Sequence, residues 1–176
     1  GVNLEGVYKL YDNKMMFLPV HDGTSLHQMT ASYRNVSQAS LQGEVLWRSQ
    51  DVTVGGRLRM AGYKDRDSGE TVSEMPVCTG DAFVRYNFRE RIIAQVECTW
   101  RSGTSGFMAT AAGVDEALHA YEVPPIVDVD LNVNYLVDKH FSVFAKAGNL
   151  LGHRNEYMPL YIEPGRNFGA GLCINF

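Results

Sequence analysis

The side chains with chemistry to offer are few and scattered. Histidines stand at His21, His27, His119, His140 and His153, with no H-E-x-x-H pair among them. His21, Asp22 and His27 fall in one segment that reads as a loop, where solvated polar groups outweigh a metal site. Gly103-Thr104-Ser105-Gly106 lacks the spacing of a G-x-S-x-G nucleophile elbow and reads as a loop tip. His119 lies in the same long loop as Ser105, which leaves a slim route to a serine–histidine pair; His140 sits beside a tight turn, away from it. Asp65-Arg66-Asp67-Ser68-Gly69-Glu70 begins like a calcium loop. It has no third acidic ligand before the glycine, and its twelfth position is Pro76, so a polar turn is expected. Cys78, Cys98 and Cys173 are odd in number, widely spaced and without a C-x-x-C, which fits reduced thiols. No catalytic residue, cofactor or metal site is expected. An enzyme would need Ser, His and Asp to converge at the loop end of adjacent strands.

The elements that hold these residues are read from the wider pattern. The chain has 176 residues, close to one domain. Sixteen basic against twenty acidic residues leave a net charge of −4, which argues against a nucleic-acid partner. Hydrophobic residues make up 45%, so bulk disorder is not expected. No apolar run is long enough for a transmembrane helix. That says nothing against a membrane barrel, whose strands alternate.

Alternation of period two dominates. Val127, Val129, Leu131, Val133 and Tyr135 share one face of an extended segment, and Asp128, Asp130, Asn132 and Asn134 share the other. The same split recurs over 41–48, 52–60, 81–88, 92–101, 141–148 and 167–176. The chain is therefore all-β, with about nine strands counted. The N-terminal pair is read as Asn3 to Leu10 and Met15 to Val20, with a short turn at Tyr11 to Lys14. Leu26 to Gln38 is read as the outer part of the strand that continues to Arg48. Turns alternate between tight (49–51, 89–90, 137–139) and long (63–76, 102–125, 150–166), so one end of the sheet carries turns and the other large loops. Gly113 to Tyr121 is read as a short helix. Centring the 89–90 turn on Arg89-Glu90 sets Cys98 opposite Asp81 and Cys78 opposite Arg101, beyond disulfide reach.

Alternation does not say which face is inside. A soluble lipid-binding barrel turns the apolar face in; a membrane barrel turns it out. Three features favour the second. The apolar face is continuous from strand to strand. Aromatics (Trp47, Phe88, Trp100, Tyr135, Phe141, Phe168, Phe176) stand near strand ends, as interfacial girdles do. The polar face mixes charges that suit a wet lumen: Glu44, Arg48, Arg57, Arg59, Asp81, Arg85, Glu97, Asp128, Asp130 and Lys146.

The end of the chain adds a resemblance. Asn149-Leu150-Leu151, a loop with Tyr157 and Tyr161, Pro164-Gly165-Arg166-Asn167-Phe168, Gly171 and a terminal Phe176 resemble the final hairpin of TonB-dependent outer-membrane receptors. Val127 to Phe144 resembles the penultimate hairpin, and Arg85-Tyr86-Asn87-Phe88 also fits. The likeness runs from about Gln42 and is strongest over 126–176, with Pro164, Gly165, Arg166, Phe168 and Phe176 as its signature. It implies an antiparallel up-and-down transmembrane barrel of about 8–10 strands in this chain, with short periplasmic turns and long outer loops. It implies a single barrel region over 1–176 in the outer membrane of a Gram-negative cell, in contact with lipid and involved in ligand uptake. Family members have twenty-two strands and a plug that contacts TonB. Nothing here resembles a plug, so contact with TonB would run through regions beyond this sequence. Two forms are consistent with this: the C-terminal part of a larger barrel, or a small barrel closing on itself. In the second case Asn3 to Leu10 should pair with the last strand.

Overall fold

The computed structural model describes residues 1–20, 28–72, 75–109, 118–158 and 161–174. Twelve strands run in chain order: β1 (Val2–Val20), β2 (Gln28–Arg48), β3 (Val52–Asp65), β4 (Cys78–Phe88), β5 (Ile92–Arg101), β6 (Thr104–Ala109), β7 (Leu118–Val123), β8 (Ile126–Leu136), β9 (Phe141–Gly148), β10 (Glu156–Met158), β11 (Tyr161–Ile162) and β12 (Asn167–Ile174). Eight form one antiparallel sheet in the order β1-β2-β3-β4-β5-β8-β9-β12, so every wall strand lies beside its sequence neighbour in the wall. The other four make two hairpins, β6–β7 and β10–β11, inserted in the long loops.

The alternating apolar positions of the wall strands fall on one face, because directly opposed residues share a face, while Val36, Phe83, Ile93 and Phe144 stand on the other. One row runs Trp47, Val54, Val84, Val96, Leu131, Ala147, Phe168 across seven strands. This face is open: Leu4 is 70% exposed, Leu172 65% and Phe168 75%. All the described girdle aromatics lie on it. Trp47, Phe88, Tyr135 and Phe141 stand close to the tight turns; Trp100 and Phe168 stand farther from them. Phe176 lies outside the described residues, as do His21, Asp22 and His27.

The rows also reveal the tilt. Trp47 and Val54 lie three to four residues from the centre of their turn, Val84 and Val96 six, and Leu131 and Ala147 eight. The row therefore climbs about one residue per strand. With roughly 3.3 Å per residue along a strand and roughly 4.8 Å between strands, the strands tilt by about 35–40°, as barrel walls do. The sheet is not closed: among the described residues β12 pairs only with β9 and β1 only with β2. The expected pairing of Asn3–Leu10 with the last strand does not form.

Three other expectations are corrected. Tyr11 to Lys14 is no turn. β1 passes through it with a bulge, where Asn13 takes φ 56 and the register shifts, so a single 19-residue strand replaces two. The Arg89 turn spans three residues, with Arg89 and Glu90 both at positive φ, so Phe88 faces Ile92. Cys98 therefore faces Ala82 and not Asp81, and Thr79 faces Arg101. An apolar-face residue cannot oppose a polar-face one, and the extra turn residue restores that parity. The three cysteines form no disulfide. Of the expected helix over 113–121, Leu118 to Tyr121 are strand; the remainder lies outside the described residues.

Three opposed pairs set an aromatic ring flat across a glycine: Trp100 on Gly80, Phe83 on Gly55 and Phe144 on Gly171. A Cβ on any of these glycines would stand 2.2 to 2.5 Å from the ring. Glycine is required there because its missing side chain is the space the ring occupies.

Candidate functional site

The polar face and the loops folded onto it are where recognition would occur. The expected polar residues do share that face. Glu44, Arg57, Asp81, Thr99 and Asp128 form one cross-strand row. Within it Arg57 Nε lies 3.2 Å from Asp81 Oδ1 and 3.9 Å from Glu44 Oε1. Glu97 and Asp130 oppose each other in the next row, with Gln95 donating to Glu97. Arg48, Arg85 and Lys146 fall in a single row nearer the tight turns. Arg59 lies above, opposite Gln42 and Thr79.

Two loop structures fold onto this face at the end away from the tight turns. Over β1–β3 the chain after β3 turns back and seats Val72 on Met16 and Val36, with Tyr11, Tyr63 and Met75 packed around them. The β1 bulge makes this patch. Beyond it, Met16 joins Tyr11 on the polar side, where alternation without a bulge would turn it outward. Tyr11 donates from its hydroxyl to the buried Gln38, and the Lys14 ammonium stands 4.5 Å from the Tyr11 ring centroid. Asp65 is a turn residue, as its sequence context suggests. Its Oδ1 accepts from the backbone N–H of Asp67 and Ser68, and Oδ2 lies 3.5 Å from Arg34. Those N–H groups, helped by Arg34 and against some burial, hold its carboxyl below the usual aspartate range.

The second structure spans Asn149 to Arg166. Asn149 sits at φ 49, and its amide nitrogen donates to the carbonyls of His153 and Pro164. Its amide oxygen accepts from His153 N–H, while its own N–H donates to Asp130. Arg166 donates to the carbonyls of Leu150 and Leu151, and its guanidinium fills the space beside Gly152 at φ 70. This clasp carries the β10–β11 hairpin over the polar face, where Arg101 donates to the Tyr157 carbonyl at 3.3 Å and lies 5.5 Å from its ring. Burial, then Glu163 and Asp128, push the Tyr157 phenol up, opposed by Arg101. Burial, then Asp128 and Asp130, push the Glu163 carboxyl up. The signature Pro164-Gly165-Arg166 is thus the return limb of this clasp.

Among the described residues the strand register does not set Ser105 opposite His119. Ser105 on β6 opposes Glu122, whereas His119 on β7 opposes Met108, three rungs away. Among the described residues no group of three or more His, Cys, Asp or Glu is placed to hold a metal. The sequence did not single out the Met16–Val36–Val72 patch, the Arg101–Tyr157 contact or the Asn149 hydrogen bonds. Of these residues, Asn149, Tyr157 and Arg166 had a sequence signal, through the terminal motif.

A continuous apolar face, a tilted wall of antiparallel strands and a polar face capped by loops make a β-barrel wall, and the fold is that of the TonB-dependent receptor barrels. The structure superposes on the pyoverdine outer-membrane receptor FpvA from Pseudomonas aeruginosa with a TM-score of 0.72 at 13% identity, covering 99% of this chain and 27% of that one. The ferric enterobactin receptor PfeA of the same organism gives 0.70 at 17%, covering 99% and 29%. The copper transporter OprC gives 0.72 at 13%, covering 99% and 28%. This chain thus spans between a quarter and a third of these receptors' length. No family model and no curated protein matches the sequence.

Proposed function

We propose that this chain forms eight strands of the wall of a TonB-dependent-receptor-like barrel in a Gram-negative outer membrane, and that it serves ligand uptake. One observation carries the reading: unbroken apolar rows on the open face of the sheet, such as Trp47 to Phe168. Lipid covers that face. Glu44, Arg48, Arg57, Arg59, Asp81, Arg85, Glu97, Asp128, Asp130 and Lys146 line the lumen. The unpaired edges of β1 and β12 take further wall strands, because unpaired backbone groups in hydrocarbon cost several kcal/mol each. The remaining wall and a plug complete the receptor, and TonB acts through those regions. The role is transport and not catalysis; the similar structures are receptors and a transporter.

Two native cysteines test this directly. Cys98 is on the apolar face beside Ala82 and Val129, and Cys173 is on the polar face opposite Ser142. With the other thiols changed to serine, a bimane on Cys98 should be quenched by spin-labelled lipid in nanodiscs, and one on Cys173 should not. The reverse pattern overturns the reading.

A further inference from the structure

The charges of the polar face are unevenly distributed. One row near the tight turns reads Arg48, Thr53, Arg85, Gln95, Asn132, Lys146, Gly169 across β2, β3, β4, β5, β8, β9 and β12. It holds three cations and no carboxylate. The row on its turn side, Asp51, Asn87, Ile93, Asn134, Phe144 and Gly171, carries one charge, the Asp51 carboxylate at its end. The next row toward the loops holds two carboxylates, Glu97 and Asp130, and no cation; in the row beyond it Arg57 is paired with Asp81 and Glu44. Among the described residues Arg48, Arg85 and Lys146 join no ion pair; Lys146 lies 5.7 Å from the Phe144 ring centroid.

Two hollows follow this row. One of about 540 Å³ is lined by Arg48, Thr53, Phe83, Arg85 and Gln95, with Asp51 at its rim. The other, of about 490 Å³, is lined by Arg85, Gln95, Asn132, Phe144 and Lys146. Arg85 and Gln95 belong to both, so the hollows join into one groove. Phe83 and Phe144 lie flat in its walls because Gly55 and Gly171 leave room for the rings.

We propose that this groove binds an extended, acidic segment of polypeptide laid across the strands. The inference rests on the polar face being the inner wall. The spacing selects the occupant. Arg48 and Arg85 are two strands apart, roughly 10 Å, and Arg85 and Lys146 are three apart, roughly 14 Å. One phosphate or carboxylate reaches a single cation. An extended chain advancing roughly 3.3 Å per residue sets carboxylates three and then four residues apart against all three. Thr53, Gln95 and Asn132, between the cations, offer hydrogen bonds to its backbone.

The test uses the whole chain folded in detergent micelles, with fluorescein-labelled octaglutamate as probe, octalysine as control and anisotropy as readout. Octaglutamate should bind saturably at low salt and be released as salt screens the contact. R48Q/R85Q/K146Q should weaken it by about tenfold or more, and Arg59→Gln by less than about twofold. The pair R85E/K146E should lose octaglutamate and gain octalysine, which shows that the variants fold; heat-shifted gel migration checks the same point. Absence of binding, equal binding by the triple variant, or displacement by pyrophosphate as readily as by unlabelled octaglutamate overturns the proposal. The Cys98 and Cys173 quenching pattern is independent. If it holds while binding fails, this proposal alone falls; if it reverses, the barrel reading falls first.

Discussion

Leu131→Arg and Asn132→Arg, adjacent in sequence, should differ by more than an order of magnitude in their effect on folding. Leu131 is the midpoint of the apolar positions of β8, which run from Val127 to Tyr135. Those eight steps cover roughly 26 Å along the strand and, at a tilt of about 35–40°, roughly 21 Å along the barrel axis. That nearly fills an apolar band of roughly 25 Å and puts Leu131 about 10 Å from either edge. Its neighbours Val96 and Ala147 give an arginine nothing polar to reach. A guanidinium there should cost about 2–4 kcal/mol. Asn132 points to the other face, between Gln95 and Lys146. Arginine there meets water and one like charge, at a cost of about 0.2–1 kcal/mol. A difference of about 2 kcal/mol is roughly thirtyfold in the folding equilibrium. The assay is reversible urea titration in lipid vesicles, followed by tryptophan fluorescence and heat-shifted gel migration. Equal penalties at the two positions, or a larger one at Asn132, would refute the assignment of faces.

Further expectations follow from the packing and the loops. Gly55→Ala sets a Cβ 2.5 Å from Phe83 and should cost about 1–3 kcal/mol; a Phe83→Ala background should relieve most of this, read as coupling in a double-mutant cycle. Asn149→Ala removes the side chain that joins His153 and Pro164 and leaves alanine at φ 49, so cleavage within 150–166 by protease should rise sharply while the barrel band on gels stays unchanged. Arg166→Lys keeps the charge but loses the two-pronged donation to Leu150 and Leu151, and should loosen the same loop by about 1 kcal/mol. Asp65 has a depressed pKa in the fold, so its contribution is present above the ordinary aspartate range and is lost as pH falls through the depressed value. Protease sensitivity of the 66–76 loop should therefore rise in acid, and Asp65→Asn should show the raised sensitivity at neutral pH and no further acid step.

Residue type and alternation already determined the wall. Seven of its eight strands read from period two, because a strand sends successive side chains to opposite faces and the two environments differ in polarity. The membership of each face follows for the same reason, and with it the ten charged residues of the polar side. The tertiary structure decided what pairing register and chain return control. A left-handed Asn13 turned an expected hairpin into one bulged strand and moved Met16 onto the polar side. One extra residue in the Arg89 turn changed every partner of β4 and β5. Arg48, Arg85 and Lys146 are up to 98 positions apart in sequence, yet form one row because five successive pairings align them. The sheet's open edges were likewise invisible in the sequence. Whether the first and last strands meet depends on how many strands the tilt needs to close a barrel, a property of the whole wall that no single strand's pattern carries.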